Sequence, residues 1–311
     1  MEEKVVVVGS LNMDIVAHVD RLPKEGETIQ GFGVYEAPGG KGGNQAAAIG
    51  KLEVPVSMIG RIGSDANGDS LLASLRQSGV NTEAVLATES ATGLAFIAVD
   101  EAGSNQIIVA PGANGELSAA DIEGQRQLFE QCSLVVLQLE IPLETALYAL
   151  RLAKQLGKTT ILNPAPARRL DAELLGCVDY LIPNEHELLA MTGKSELDEA
   201  GLSSAAAELL EKGAKAIVVT LGDKGCFYTD GAVSEYFGAI RVDALDTTAA
   251  GDSFIGGFAA GYAVERDVRK AIRQAIAASS ITVTRRGAQS SLPSRDEVDS
   301  QLNRRKAGKR A

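Results

Sequence analysis

The segment from Asp246 to Phe254 places a carboxylate among small residues where a helix is predicted to begin. It reads Asp-Thr-Thr-Ala-Ala-Gly-Asp-Ser-Phe and leads into a small-residue, helix-prone stretch at 255–261. Backbone N–H groups at such a helix start can bind an anion. Asp252 could accept a proton from a substrate hydroxyl while the amides of Ala250 and Gly251 hold the oxygens of a phosphoryl group. Alternatively, Asp252 is only an N-cap residue or a first-turn acid that matches the helix dipole.

A second segment, Gly39–Gln45, opens an alanine-rich helix and contains four glycines. Glycines allow the backbone to approach a ligand closely, and the carboxamide of Asn44 can both donate and accept hydrogen bonds. The segment is not a Walker A loop, because Lys41 is followed by glycine and the G-x-x-x-x-G-K-[ST] spacing is missing. A flexible turn without a ligand is the alternative interpretation.

Asn12 and Asp14 lie just after the first predicted strand. Alternate side chains of an extended backbone point to the same side, so both could face one ligand. A carboxamide with a carboxylate is suited to binding adjacent hydroxyl groups. Asn and Asp are also ordinary turn residues, so these two positions alone are weak evidence of a site.

Polar or glycine-rich residues follow three further predicted strands at the point where each strand ends. They are Glu140, the pair Asn184 and Glu187, and the segment Thr220–Gly225. Ligands of parallel α/β sheets bind beyond the carboxyl ends of the strands, so these residues are expected to gather on one edge. Each also has a simpler explanation: helix capping for Asn184, a solvated position for Glu187, and a hairpin for 222–225.

The elements that must position these residues follow two patterns along the chain. From about residue 118, apolar strands alternate with helices, which predicts a parallel sheet covered on both faces. Its predicted elements are the strands 134–139, 159–162, 180–182 and 216–220, the helices 143–156, 203–211 and 267–283, and a hairpin that starts at 225–229. The first strand is predicted at Val5–Gly9. Short strands at 14–19, 28–33, 94–99 and 107–109 predict a separate small antiparallel sheet, with helices at 42–51 and 70–78.

Composition argues against several classes of function. A net charge of -11 argues against a nucleic-acid partner, which requires a basic surface. No apolar run reaches the ~20 residues of a membrane span, and the acidic N-terminus before Val5–Val8 does not resemble a signal peptide. Three widely spaced cysteines indicate the reduced thiols of a cytoplasmic protein. The basic run at 304–311 is expected to be a solvated, disordered tail.

Gly39–Gln45 together with Asp246–Phe254 resembles the paired signatures of the ribokinase-like carbohydrate kinases. The similarity runs nearly end to end, from the first strand to Thr284–Gln289, and includes the segments 138–140 and 163–167. It implies an α/β three-layer sandwich, a mostly parallel central sheet flanked by helices, that spans residues 1–311 as one domain. It also implies a small β-sheet lid, with strands from about 11–35 and 92–110, that closes over the sugar and forms a homodimer contact.

The resemblance further implies that the chain transfers a phosphoryl group from ATP to a sugar, with the 5-hydroxyl of D-ribose as the expected acceptor. Asp252 would be the general base, and the anion hole would come from the amides of Ala249, Ala250 and Gly251. The residues expected to bind the sugar are Asn12, Asp14, Gly40, Lys41, Asn44 and Glu140, together with Asp252. The residues expected to bind the nucleotide are Asn184, Thr220, Leu221, Gly222, Asp223, Lys224, Gly225 and Gly251.

Two metal ions are implied in the same way. Glu187 would help to order Mg²⁺ and its water, and an activating K⁺ would lie beside the anion hole. The oxygen ligands of K⁺ would come from Asp246, Thr248, Thr282, Arg285, Gly287 and Ser291, several of them as backbone carbonyls. The chain departs from the family pattern in two places: Ala249 stands where glycine is frequent, and Ile276 stands where some members carry a polar residue near the adenine.

Other functions remain as alternatives. A kinase of the same fold could act on fructose, deoxyribose, a sugar acid or a nucleoside. A non-catalytic sensor of a sugar or nucleotide should have lost Asp252, Asn184 or Glu187, and all three are present. A dinucleotide oxidoreductase is disfavoured because the G-x-G-x-x-G fingerprint is missing after the first strand.

Overall fold

Strands and helices alternate along most of the chain. The computed structural model describes residues 4–101, 105–194, 196 and 198–308. The strands are β1 (Val5–Val8), β2 (Asn12–Val19), β3 (Gly31–Gly39), β4 (Val56–Gly63), β5 (Val80–Asn81), β6 (Val85–Thr88), β7 (Gly93–Val99), β8 (Asn105–Ala110), β9 (Leu134–Leu137), β10 (Thr159–Leu162), β11 (Tyr180–Leu181), β12 (Ala216–Thr220), β13 (Cys226–Thr229) and β14 (Ser234–Phe237). The helices are α1 (Lys41–Lys51), α2 (Ala66–Gln77), α3 (Ala119–Gly124), α4 (Arg126–Gln131), α5 (Leu143–Gln155), α6 (Ala172–Leu175), α7 (Glu185–Thr192), α8 (Glu199–Glu211), α9 (Ala250–Glu265), α10 (Val268–Thr282) and α11 (Arg295–Gly308).

The larger sheet is parallel over most of its width. Its strand order is β14-β13-β12-β11-β10-β9-β1-β4-β5, and β6 pairs with the second half of β4. Among the described strands of this sheet, antiparallel pairing is confined to β13, which pairs with β12 and with the edge strand β14. The four valines of β1 are all buried, as expected for a strand covered on both faces.

Two helical layers cover this sheet, and alternate residues of β1 face different layers. Val5 and Val7 pack in a core with α1, α2, α9 and α10, whereas Val6 and Val8 pack in a second core with α3 to α8. The period of two along a strand produces this division. The predicted three-layer α/β sandwich is confirmed.

The smaller sheet has the strand order β3-β2-β7-β8, and its pairing differs from the prediction. Its two outer pairs are antiparallel, but β2 and β7 are parallel, with Asn12 opposite Gly93. A parallel pair requires a long crossover, and here the chain passes through the larger sheet between the two strands. The strand predicted at 28–33 is β3, and its bounds are Gly31–Gly39. It is longer at its C-terminal end because its pairing with β2 continues as far as Asn12, opposite Gly39.

The expected disordered tail is wrong for residues 304–308, because α11 continues to Gly308. Lysine and arginine are good helix formers, and positive charge is favourable near a helix C-terminus. Residues 309–311 lie outside the described residues. Among the helices described, none is both long and apolar enough to cross a bilayer.

Candidate active site

The start of α9 forms the centre of the candidate site. Ala249, directly before it, has a left-handed backbone conformation with φ of 57°, and the N–H of Ala250 donates to the carbonyl of Thr247 at 3.2 Å. The N–H groups of Gly251 and Asp252 fall in the first helical turn, where the helix itself supplies no acceptor. A side-chain carbon on Gly251 would meet no atom within 4 Å, so open space adjoins that residue.

This geometry bears on the predicted anion hole at residues 249–251. The amide of Ala250 already makes a hydrogen bond within the turn. The amides of Gly251 and Asp252 are therefore the better candidates for binding an anion, with the dipole of the 16-residue helix behind them.

The carboxylate of Asp252 is buried and held from two sides. Its Oδ2 accepts a hydrogen bond from Nδ2 of Asn44, and its Oδ1 accepts one from Nε2 of Gln45, both at 2.9 Å. Burial raises the pKa of Asp252 above its ordinary value, although the ammonium of Lys41 and the two hydrogen bonds oppose that effect. A carboxylate made more basic in this way is suited to accept a proton from a hydroxyl.

Glycine before α1 lets the start of this helix lie close to the beginning of β2 and to Glu140, which follows β9. Gly40 has φ of 80°, and a Cβ at this position would lie 2.6 Å from the backbone nitrogen of Asn12. Only a residue without a side chain allows α1 to begin so close to β2. The N–H of Lys41 donates to Oε2 of Glu140 at 3.3 Å. The segment Gly39–Gln45 is thus a tightly packed helix start, and its interpretation as a flexible turn is wrong.

Asn12 and Asp14 are both buried, and they alternate along β2 as predicted. Oδ1 of Asn12 accepts a hydrogen bond from Nδ2 of Asn114 at 2.8 Å. Burial, and then the charges of Glu140 and Asp252, raise the pKa of Asp14 to about 7. The two residues belong to a strand and not to a turn, and one of them titrates near neutral pH.

Oδ1 of Asn44 is buried, and no donor within the described residues reaches it. Buried polar atoms nearly always have a hydrogen-bond partner, so an acceptor of this kind indicates a donor on a bound molecule. The Nδ2 of the same side chain contacts Asp252. A hydroxyl group beside Asp252 would satisfy this oxygen, and a sugar offers several.

A cavity of about 230 Å³ joins residues predicted to bind sugar with residues predicted to bind nucleotide. Lys41 and Asp252 line it together with Asn184, Glu187 and Thr220. The remaining lining residues are Asn163, Ile182, Thr247, Ala249, Ala250, Gly251 and Ile255. The side chain of Asp252 therefore borders a hollow in which two substrates can meet.

Asn184 and Glu187 form a capping box at the start of α7. Oδ1 of Asn184 accepts the N–H of Glu187 at 2.7 Å, and Oε2 of Glu187 accepts the N–H of Asn184 at 2.9 Å. The capping explanation of Asn184 is confirmed, whereas the solvated position of Glu187 is wrong because its side chain is buried. Burial is also the main reason why the pKa of Glu187 is raised. Both residues nevertheless line the cavity, so capping does not exclude a role in binding.

The segment from Leu221 to Gly225 is a turn between β12 and β13. It contains the short 3-10 helix Gly222–Lys224, and the N–H of Leu221 donates to the carbonyl of Gly225 at 2.8 Å. The hairpin explanation is therefore confirmed. Gly222, Asp223 and Lys224 are exposed and do not line the cavity, although Thr220 directly before them does.

Five of the six predicted K⁺ ligands lie in two loops that Asp246 joins, and the sixth, Thr282, is the last residue of α10. The carboxylate of Asp246 accepts the N–H groups of Thr248 at 2.8 Å and of Gly287 at 2.9 Å. The hydroxyl of Thr282 donates to Ser253 at 2.7 Å, which connects this region to the first turn of α9. Arg285 and Ser291, the other predicted ligands, flank Gly287 in the second loop. The donor set is mainly carbonyl and hydroxyl oxygen, a type of ligand that K⁺ accepts.

Sequence reasoning assigned no role to several residues that shape the site: Gln45, Asn114, Gln138, Asn163 and Thr247. Gln45 and Gln138 lie beside predicted residues and inside the segments that carry the family resemblance. Their partners are 93 to 207 positions away along the chain, so no local pattern could reveal the contacts.

Fold and site together define a kinase that transfers phosphoryl groups to small hydroxylated molecules. Residues 2–295 match the family described as pfkB family carbohydrate kinase. The chain belongs to this family of carbohydrate kinases.

Known relatives cover nearly the whole chain. The ribokinase of Schizosaccharomyces pombe is 40% identical over 97% of this chain and 98% of the relative. The deoxyribokinase of Salmonella typhi is 38% identical over 96% of this chain and 98% of the relative. The structure of Arabidopsis thaliana ribokinase complexed with ribose and ATP has a TM-score of 0.89 and 34% identity, and the match covers 97% of this chain and 99% of that one.

Proposed function

We propose that this chain phosphorylates D-ribose at its 5-hydroxyl with ATP as the phosphoryl donor. The observation that carries the proposal is the position of Asp252. Its carboxylate borders the cavity between the hydrogen-bonding groups of α1 and the amides at the start of α9. The similarity to ribokinases, one of them solved with ribose and ATP, supports this pair of substrates.

Asp252 accepts the proton of the 5-hydroxyl while that oxygen attacks the γ-phosphorus. The bond between the γ-phosphorus and the β,γ-bridging oxygen breaks, and ADP leaves. Little covalent chemistry is required of the protein, because positioning and charge stabilisation supply most of the rate enhancement of phosphoryl transfer. The amides of Gly251 and Asp252 stabilise the transferring oxygens, with the dipole of α9 aligned behind them.

Ribose is held by the predicted set Asn12, Asp14, Gly40, Lys41, Asn44 and Glu140. The free Oδ1 of Asn44 accepts one sugar hydroxyl, and the carboxylates of Asp14 and Glu140 accept others. The backbone at Gly40 lets the sugar lie close to the start of α1. ATP extends from the cavity over Asn184 and Thr220 to the turn at 221–225.

Mg²⁺ fits this site through Glu187. Magnesium usually keeps several waters and is bound through one or two carboxylates and the phosphates of the substrate. Glu187 lines the cavity and can supply one such carboxylate. When bound, Mg²⁺ would neutralise charge on the phosphates, and the buried carboxylate of Glu187 would hold its water shell.

K⁺ fits the two loops joined by Asp246. When bound there, the cation would add positive charge beside the start of α9. Asp246 orders both loops through its bonds to Thr248 and Gly287, and Thr282 contacts Ser253 next to the base. The chain's own contribution is therefore a preformed loop pair that connects a cation site to the anion hole.

The smaller sheet acts as a lid, and its outer face is proposed to bind a second copy of the chain. Val34, Phe96 and Ile108 are 69%, 44% and 70% exposed. Phe96 pairs with Ile15 and Ile108, and Val34 pairs with Ala17, so the three exposed residues lie on the face opposite Asp14.

The three free cysteines, Cys132, Cys177 and Cys226, fit a reducing compartment such as the cytoplasm.

A panel assay with purified protein tests the substrate. ATP turnover is measured with ribose, 2-deoxyribose, fructose and common nucleosides, with K⁺ or with a large organic cation, and the phosphorylated carbon is assigned by NMR. We expect the highest kcat/KM for ribose, product phosphorylated at the 5-position, and a higher rate in K⁺. Deoxyribose is the second candidate because of the 38% identity to a deoxyribokinase, and a higher kcat/KM for deoxyribose would replace ribose as the assigned substrate.

A further inference from the structure

A buried chain of amide side chains holds the carboxylate of Asp252 from the side of Oδ1. Nε2 of Gln45 donates to Oδ1 of Asp252 at 2.9 Å and lies 3.4 Å from Oδ1 of Asn163. Nε2 of Gln138 donates to Oε1 of Gln45 at 2.6 Å. Gln45 and Gln138 are fully buried. The chain therefore runs from Gln138 through Gln45 to Asp252, and its two glutamine side chains have no contact with solvent.

The direction of these hydrogen bonds is fixed by chemistry. An ionised carboxylate can only accept, so the amide nitrogen of Gln45 must face Asp252. The bond from Gln138 occupies the opposite end of that amide and prevents it from turning over. Gln138 has room because residue 9 is glycine: a Cβ on Gly9 would lie 1.9 Å from Oε1 of Gln138.

We propose that Gln45 is a positioning residue of the phosphoryl-transfer reaction and that Gln138 acts only through it. The proposal rests on the function proposed above. Gln45 occupies Oδ1 and fixes the carboxylate plane, so Oδ2 is the oxygen that takes the proton. Oδ2 contacts Asn44, one of the predicted sugar ligands, whereas Gln138, which donates to the other end of the Gln45 amide, is buried in the protein interior.

The test compares Gln45→Met, Gln138→Met and the double variant with the unmodified chain. We expect Gln45→Met to lower kcat about 10- to 100-fold, the range for loss of one hydrogen bond to a charged group, with little change in the KM for ribose. Gln138→Met should lower kcat less. If Gln138 acts only through Gln45, the double variant should match Gln45→Met and show no further loss.

A pH profile distinguishes positioning from a purely structural effect. Loss of a donor to the ionised carboxylate should raise the pKa of Asp252 further. The acidic limb of the plot of kcat against pH should therefore move to higher pH. The charged groups around Asp252 that also affect this limb are Lys41, Glu140, Asp14 and Glu187, and they are unchanged in these variants.

Gln274→Met is a matched control. Gln274 is also buried, and its Nε2 donates to the carbonyl of Gly257 at 3.2 Å, outside the site. This control should lower the melting temperature without changing kcat. An unchanged kcat in Gln45→Met, a loss confined to KM, an unmoved acidic limb or additive losses in the double variant would each overturn the inference. Failure of the unmodified chain to phosphorylate any sugar would instead overturn the proposed function itself.

Discussion

Three carboxylates and one ammonium group share the predicted sugar site: Asp14, Glu140, Asp252 and Lys41. Burial disfavours the charged form of Lys41, yet the carboxylates of Asp252, Glu140, Glu187 and Asp14 together raise its pKa above the usual value. Lys41 therefore remains charged throughout the physiological range. Without it, the like charges of Asp14 and Asp252 would raise the pKa of both further, and a smaller fraction of Asp252 would be ionised and able to accept a proton.

Asp14 makes ribose binding dependent on pH. Its pKa is raised to about 7, so the free protein carries a neutral carboxyl below that pH and a carboxylate above it. Only the carboxylate offers all its oxygens as acceptors to sugar hydroxyls. The Kd for ribose, measured by calorimetry between about pH 5.5 and 8, should rise as pH falls below 7 and approach about tenfold per unit.

Asp14→Asn is the control for this dependence. The amide cannot titrate, so the variant should bind ribose more weakly at pH 8 and lose the change of Kd near pH 7. A constant Kd for the unmodified chain across the whole range would contradict the assignment of Asp14 as a sugar ligand.

The residue types at the site are visible in the sequence, but their environment is not. Asp252 and Asn44 were predicted because small residues and glycines surround them in recognisable segments. The burial of Glu187 was not predicted, because a residue three positions after Asn184 reads equally well as an exposed member of a capping box. The role of Gln45 depends on partners that only the fold brings near.

At the scale of elements, the contact between α1 and α9 determines whether Asp252 reaches its partners. A Cβ on Gly256 of α9 would lie 2.4 Å from Cβ of Ala48 and 3.1 Å from the carbonyl of Gln45 in α1. The two helices can approach this closely only because residue 256 has no side chain. The same approach places Asn44 and Gln45 within 2.9 Å of the carboxylate.

Gly256→Ala should separate the two helices. We expect a loss of about 1–3 kcal/mol in the free energy of unfolding, the usual cost of overpacking, and a lower kcat because Asp252 moves away from its donors. Denaturant unfolding and steady-state kinetics measure the two effects. Ala48→Gly in the same chain removes the facing methyl group and should restore much of kcat. An active and equally stable Gly256→Ala variant would show that the helix contact does not position the base.

Element predictions succeeded where the local pattern was unambiguous. The strands Thr159–Leu162 and Ala216–Thr220 were predicted with the bounds that the structure has, because each is a short apolar run between polar residues. The strand Val56–Gly63 was missed, since Gly60, Arg61 and Gly63 interrupt its apolar pattern. It lies beside β1, and that tertiary pairing overrides the weak local preference.

At the scale of the whole molecule, the smaller sheet connects the site to an exposed apolar surface. Its inner face carries Asp14, and its outer face carries Val34, Phe96 and Ile108. The parallel pairing of β2 with β7 was not predicted, because the whole segment from Asp20 to Thr92 separates the two strands and no local signal encodes such a pairing. The existence of the sheet was predicted, but its topology depends on the larger sheet through which the chain passes.

Ile108→Asp should prevent association of two copies. The substitution places a charge in the proposed dimer contact, and desolvation of that charge opposes association. Analytical ultracentrifugation at micromolar concentration should show a dimer for the unmodified chain and a monomer for the variant. Val233→Asp, an exposed apolar position of the β13–β14 turn outside the lid, is the matched control and should remain dimeric. A monomeric unmodified chain would contradict the proposed contact.

The most direct test of the whole account is the turnover of Asp252→Asn with ribose and ATP. Asparagine keeps the size of the side chain but cannot take the proton, so the variant should fold, still bind ribose measurably and lose about 10²- to 10⁴-fold in kcat. Circular dichroism and ribose binding verify the folded site, and a coupled assay measures the rate. A correctly folded variant that phosphorylates ribose at nearly the unmodified rate would contradict the assignment of Asp252 as the base.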